Sequence, residues 1–98
     1  MKLRLLPEAI ERIEVARAWW LDHRDKAPLV FDEELADALE QIATSPELGQ
    51  RSLLSKGRDV RRRLMKKTAF HVYYEVVDEA VHVLTLWGAV RGSEPRFH

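Results

Sequence analysis

The chain has 98 residues, no cysteine and a formal net charge of zero, which suits a single domain over residues 1 to 98 and excludes disulfides and thiolate metal sites. No apolar run approaches the length of a membrane span, and the start MKLRLLPEA lacks the apolar core and small-residue cleavage site of a signal peptide, so a soluble, cytoplasmic protein with no membrane partner is expected. The neutral total hides a split: residues 1 to 49 carry six Lys/Arg against eleven Asp/Glu, and residues 50 to 98 carry ten against five, giving −5 and +5.

MKLRLL alternates Leu3 and Leu5 with Lys2 and Arg4, which predicts a short strand. Pro7 suits the first turn of a helix, and Glu8 and Glu11 lie near the positive end of its dipole. Ile10, Ile13, Ala16 and Trp20 recur at helical spacing and predict an apolar stripe running to about His23. Trp19 and Trp20 are adjacent, so both cannot point inward; Trp20 joins the stripe and Trp19 is left as a candidate partner contact. DHRDKAP interrupts the pattern. Phe31, Leu35, Ala38, Leu39 and Ile42 then form a second stripe that stops before Pro46, with Asp32, Glu33 and Glu34 as a solvated acidic start. Two amphipathic helices so closely linked predict a hairpin.

SPELGQRSLLSKGRD has loop composition and marks a change from helical to strand period. DVRRRLMK, AFHVYYEVV and AVHVLTLW, with only a short Asp78-Glu79 turn between the last two, predict an antiparallel three-stranded meander. Phe70, Val72, Tyr74 and Val76 share one face of the middle strand. The expected fold is α+β in the order β-α-α-β-β-β, with the helical hairpin packed on an antiparallel sheet.

The positive half is concentrated in Arg51, Lys56, Arg58, Arg61, Arg62, Arg63, Lys66 and Lys67, which stand in sequence against Asp59 alone. Such a surface attracts phosphates or an acidic protein segment, while the neutral total argues against tight non-specific nucleic-acid binding. A run of three arginines on a strand must alternate faces, so part of it also serves to solvate an exposed strand. His23, His71, His82 and His98 lack metal-ligand spacing, and no glycine-rich phosphate loop is present. No metal and no cofactor are expected.

This order of elements, with VRRRLMKKTAFHVYYEVVDEAVHVLTLWGAVRG at its C-terminal end, resembles the RelE/ParE toxins of type II toxin–antitoxin systems over essentially the whole chain. The resemblance implies a growth-arresting toxin, of the kind associated with plasmid stabilisation, in a hetero-oligomer with a cognate antitoxin. ParE-like relatives poison DNA gyrase; RelE-like relatives cleave messenger RNA on the ribosome. For a ribonuclease the resemblance points to Arg61, Arg63, His71 and Arg91. Two positions depart from the family's pattern, because His71 stands where an arginine is expected and Phe97 where a tyrosine is expected. A phenyl ring has no hydroxyl with which to move a proton. The ParE-like mode is therefore favoured, with no catalytic residue, target contacts at Arg61, Arg63, Arg91, Arg96 and Phe97, and antitoxin contacts at Trp19, Arg58, Arg61, Arg62, Lys66 and Lys67.

Overall fold

The computed structural model describes residues 1–52, 57–89, 95 and 97. Strand β1 (Lys2–Leu5) leads into helix α1 (Pro7–His23) and helix α2 (Val30–Thr44); a 3-10 turn (Pro46–Leu48) and the two-residue β2 (Gln50–Arg51) follow, then β3 (Arg61–Met65), β4 (Phe70–Val77) and β5 (Ala80–Gly88). The five strands form one sheet in the order β1-β5-β4-β3-β2. The meander is antiparallel as its alternation predicts. β1 instead joins β5 in parallel, with Leu3 beside Val81 and Leu5 beside Val83, so the sheet is mixed. β2, inside the stretch expected to be loop, pairs with β3 through Gln50 and Arg62.

The helices lie on one face of the sheet. α1 starts at Pro7 without a side-chain cap and buries Ala9, Ile13, Ala16 and Trp20; α2 buries Phe31, Leu35, Ala38 and Ile42. Ile10, expected in the stripe, is 49 % exposed. Ala9 takes its place because the small residue lets the first turn approach β5 closely. Against these helices the sheet presents Met65, Val72, Tyr74, Val81, Val83 and Leu86. Burying each large apolar side chain contributes roughly 1.5 to 3 kcal/mol, which makes this the main stabilising unit. The connection between the helices is fixed by the Trp20 indole N–H, which donates to the Ala27 carbonyl at 2.8 Å.

A bulge changes the phase of β5. Tyr73 pairs with Thr85 and Tyr74 with Val83, leaving Leu84 as the extra residue. Odd residues Val81 and Val83 face the helices before it, and even Leu86 faces them after it. Leu84 and Trp87 turn to the opposite face, where Val60, Tyr73 and Phe97 form a second, smaller cluster. The turn at Asp78 and Glu79 has φ of 50° and 63°, the two-residue geometry whose twist suits a hairpin and which asparagine and glycine adopt with less strain. No helix among the described residues is long and apolar enough to cross a membrane.

Candidate functional site

The basic strand divides its arginines between the two faces of the sheet. Residues paired across antiparallel strands point to the same side. Arg61 pairs with Tyr74 and Arg63 with Val72, both in the helix-side core, whereas Arg62 pairs with Tyr73 and Leu64 with His71 on the opposite side. Arg61 and Arg63 therefore do not share a face with His71. The strand period explains this directly: the ribonuclease set drawn from the resemblance combines odd residues of β3 with an odd residue of β4, and the register places those odd sets on opposite faces. On the face of the sheet that carries His71, the β3 arginine is Arg62, paired with Tyr73. Arg91 and Arg96 lie outside the described residues.

Several cations of the basic cluster are already engaged. Arg61 donates from one terminal nitrogen to the carbonyls of Glu47 at 2.6 Å and Gly49 at 3.0 Å, capping the 3-10 turn, and its Nε lies 3.5 Å from Asp59. Arg58 forms a two-pronged pair with Glu75, at 3.2 Å from Nε and 2.5 Å from a terminal nitrogen. The hydrogen bonds to Glu75 raise the Arg58 pKa against the opposing effect of burial. Arg51 reaches Asp59 at 3.3 Å. Asp59 is thus not the sole counter-charge. Glu75 comes from β4, seventeen residues further on, and its sequence signal was a lone carboxylate inside an aromatic and apolar strand.

Phe97 does not offer an exposed ring. It is 9 % exposed and its ring centroid lies 5.4 Å from that of Tyr73, with the Arg58 guanidinium 5.9 Å from its face. Its ring packs on the second cluster, so the exposed ring expected of a target contact is not what the structure presents. Trp19 is 46 % exposed and stacks on the His23 ring at 4.2 Å. It is accordingly nearly half open to solvent, beside His23 at the end of α1. It lies apart from the groove of about 310 Å³ between the helices, which is lined by Ile10, Ile13, Leu35 and Leu39 and bordered by Arg17 and Asp32. Arg17 ties the helices together across this border, donating to Asp32 at 2.7 Å and to Glu14 at 2.6 Å.

Lys66 and Lys67 are exposed on the tight turn between β3 and β4. The turn is held from below by Glu34 of α2: one carboxylate oxygen accepts from the Lys67 N–H at 2.7 Å, the other from the Thr68 N–H at 2.9 Å and its hydroxyl at 2.7 Å. Burial alone would raise the Glu34 pKa, but these hydrogen bonds outweigh it and hold the carboxyl below its ordinary range. Glu34 is thus more than a solvated helix start. Periodicity gave no sign of this, since its partners are more than thirty residues away. At the other edge, Arg12 donates to the Leu86 carbonyl at 3.3 Å and lies 4.9 Å over Trp87, shielding the part of β5 that extends beyond β1. No cluster of His, Asp and Glu able to hold a metal occurs among the described residues.

No family model and no curated protein matches this chain. Among solved structures it is similar to a chain of the chromosomal ParDE TA system from P. aeruginosa, at 15 % identity and a TM-score of 0.64, covering 90 % of this chain and 95 % of that one. It is also similar to a chain of the intact E. coli RelBE toxin–antitoxin complex, at 20 % identity and a TM-score of 0.58, covering 92 % and 98 %. At such low identity the likeness lies in the arrangement of helices and strands. This chain is therefore a small α+β domain with the RelE/ParE toxin-like fold.

Proposed function

We propose that this chain is the toxin of a type II toxin–antitoxin module, held inactive in the cytoplasm by a cognate antitoxin in a hetero-oligomer. When free it acts in the ParE-like manner, arresting growth by contact with DNA gyrase. The toxin role is supported by the fold shared with the two toxin–antitoxin assemblies over nine-tenths of the chain. The ParE-like mode is supported by one observation: Arg61 and Arg63 lie on the face opposite His71. A cleavage centre needs its base and its phosphate-stabilising cations within reach of one phosphate. A sheet between them prevents that.

The RelE-like alternative, ribosome-dependent cleavage of messenger RNA, is favoured by a different grouping, because Arg62, His71 and Tyr73 share the helix-free face. One paired experiment separates the two modes. The purified chain is tested for codon-specific cleavage of message on translating ribosomes and for gyrase-dependent breaks in DNA. DNA breaks without message cleavage are expected. Message cleavage that disappears in Arg62→Ala and His71→Ala, with no DNA breaks, overturns the gyrase mode in favour of the ribonuclease.

A further inference from the structure

The Glu34 clamp sits under the two lysines of the basic cluster that project from the β3–β4 turn. An acidic protein segment approaching Lys66 and Lys67 meets a carboxylate of its own sign beneath them. Simple charge counting makes that carboxylate a hindrance, and its removal a gain. The geometry gives the opposite result. Both Glu34 oxygens are occupied by hydrogen bonds from Lys67 and Thr68, and the turn they hold is difficult to form unaided. Ala69 has φ of 62°, an unfavourable conformation for a residue with a Cβ. The Met65 carbonyl closes the turn by accepting from the Ala69 N–H at 2.9 Å, while the Ala69 carbonyl accepts from Ala89 N–H at 2.8 Å just after β5. Glu34 thus supplies the side-chain anchorage that balances local backbone strain.

We propose that Glu34 is a positioning residue for partner recognition: it holds the Lys66-Lys67 turn in the form that an acidic protein segment binds, so that an anionic side chain strengthens binding of an anionic partner. This rests on the acidic-partner reading of the basic surface. Without the clamp the turn samples other conformations, and the cost of ordering it moves to the binding step. Glutamine discriminates between the two effects. It removes the negative charge, and because one of its two terminal atoms is a donor it cannot present an acceptor at both of the positions that Lys67 and Thr68 engage separately.

The probe is a short poly-L-glutamate peptide at low ionic strength, titrated against the native chain, Glu34→Gln and Thr68→Val, with amide exchange followed at Lys67 and Thr68. Thr68→Val removes one clamp hydrogen bond without changing any charge, and carries the test if Glu34→Gln fails to fold. Glu34→Gln is expected to bind about three- to tenfold more weakly, the scale of one immobilised side chain's ordering cost, with faster exchange at both amides. Thr68→Val should show a smaller loss in the same direction. Tighter or unchanged binding by Glu34→Gln, or unchanged binding by Thr68→Val where it stands alone, overturns the proposal. Absence of salt-sensitive peptide binding by the native chain overturns it too, through the basic surface itself, and leaves the paired assay of toxic mode unaffected.

Discussion

Tyr74 and Gly49 are in such close contact that a Cβ added at Gly49 would lie 2.1 Å from the tyrosine oxygen and 2.8 Å from Cζ. The same hydroxyl donates to the Pro46 carbonyl at 2.6 Å, and burial raises its pKa. The contact seats the 3-10 turn on β4 and aligns the Glu47 and Gly49 carbonyls that Arg61 caps. Glycine is needed here for space, since its φ of −68° suits any residue. Gly49→Ala should cost about 1 to 3 kcal/mol by overpacking. In a Tyr74→Phe background part of that cost should vanish, because the closest atom is gone while Cζ remains. A double-mutant cycle of denaturant unfolding measures the coupling; strictly additive effects would remove the contact from the account.

Trp19 and Trp20 are neighbours in sequence with opposite surroundings. Trp20 is 8 % exposed in the core and Trp19 is 46 % exposed. Trp20→Ala should cost about 3 to 5 kcal/mol, as expected for a large buried ring. Trp19→Ala should stay within about 0.5 kcal/mol of the native chain. Thermal unfolding of both variants checks the contrast, and comparable losses would show that Trp19 supports the fold.

The clamp at Glu34 has a defined pH dependence. Its folded pKa is lowered from the ordinary value of 4.5, so the charged carboxylate favours the folded state at pH above that value. The contribution is lost as the pH falls through the lower folded pKa. The stability difference between the native chain and Glu34→Gln should accordingly be largest near neutrality and shrink below pH 4.5. Denaturant unfolding across that range tests it, and a difference independent of pH would sever the link between Glu34 ionisation and the turn.

Strain at Ala69 offers a gain-of-stability test. With φ of 62°, Ala69→Gly should stabilise by about 1 kcal/mol, the relief of a left-handed Cβ outweighing the added freedom of the unfolded chain. Any increase in unfolding midpoint supports this, and a decrease would show that the alanine methyl group contributes packing worth more than the strain.

Local periodicity was sufficient for the two helices, β1 and the meander, though not for the two-residue β2, because burying one face imposes a repeat on neighbouring residues only where an element is long enough to show it. Pro7 and the spacing of Ile13, Ala16 and Trp20 located α1, and the switch to alternation located the meander. The same logic failed at Ile10, which is 49 % exposed while Ala9 beside it is fully buried, because packing of α1 on the sheet and not the helical repeat alone decided which residue was covered. It was silent on β1, whose four residues reveal a strand but not the neighbour it pairs with, and on Leu84, whose bulge reverses the face of every later residue in β5.

The composition of the basic cluster was legible in the sequence, and its availability was not. Arg58, Arg61 and Lys67 appear alike as cations in a row. Tertiary structure sets Arg58 on Glu75, turns Arg61 back to cap Pro46–Leu48, and leaves Lys67 exposed above Glu34. It also buries Phe97 against Tyr73 and separates Arg61 and Arg63 from His71. The sequence by itself determined the two helices, the strands of the meander and where charge accumulates, since those follow from nearest-neighbour patterns. Only the tertiary structure decided which charges are paired and which residues share a face, because pairing register and the opposite ends of each hydrogen bond lie tens of residues apart.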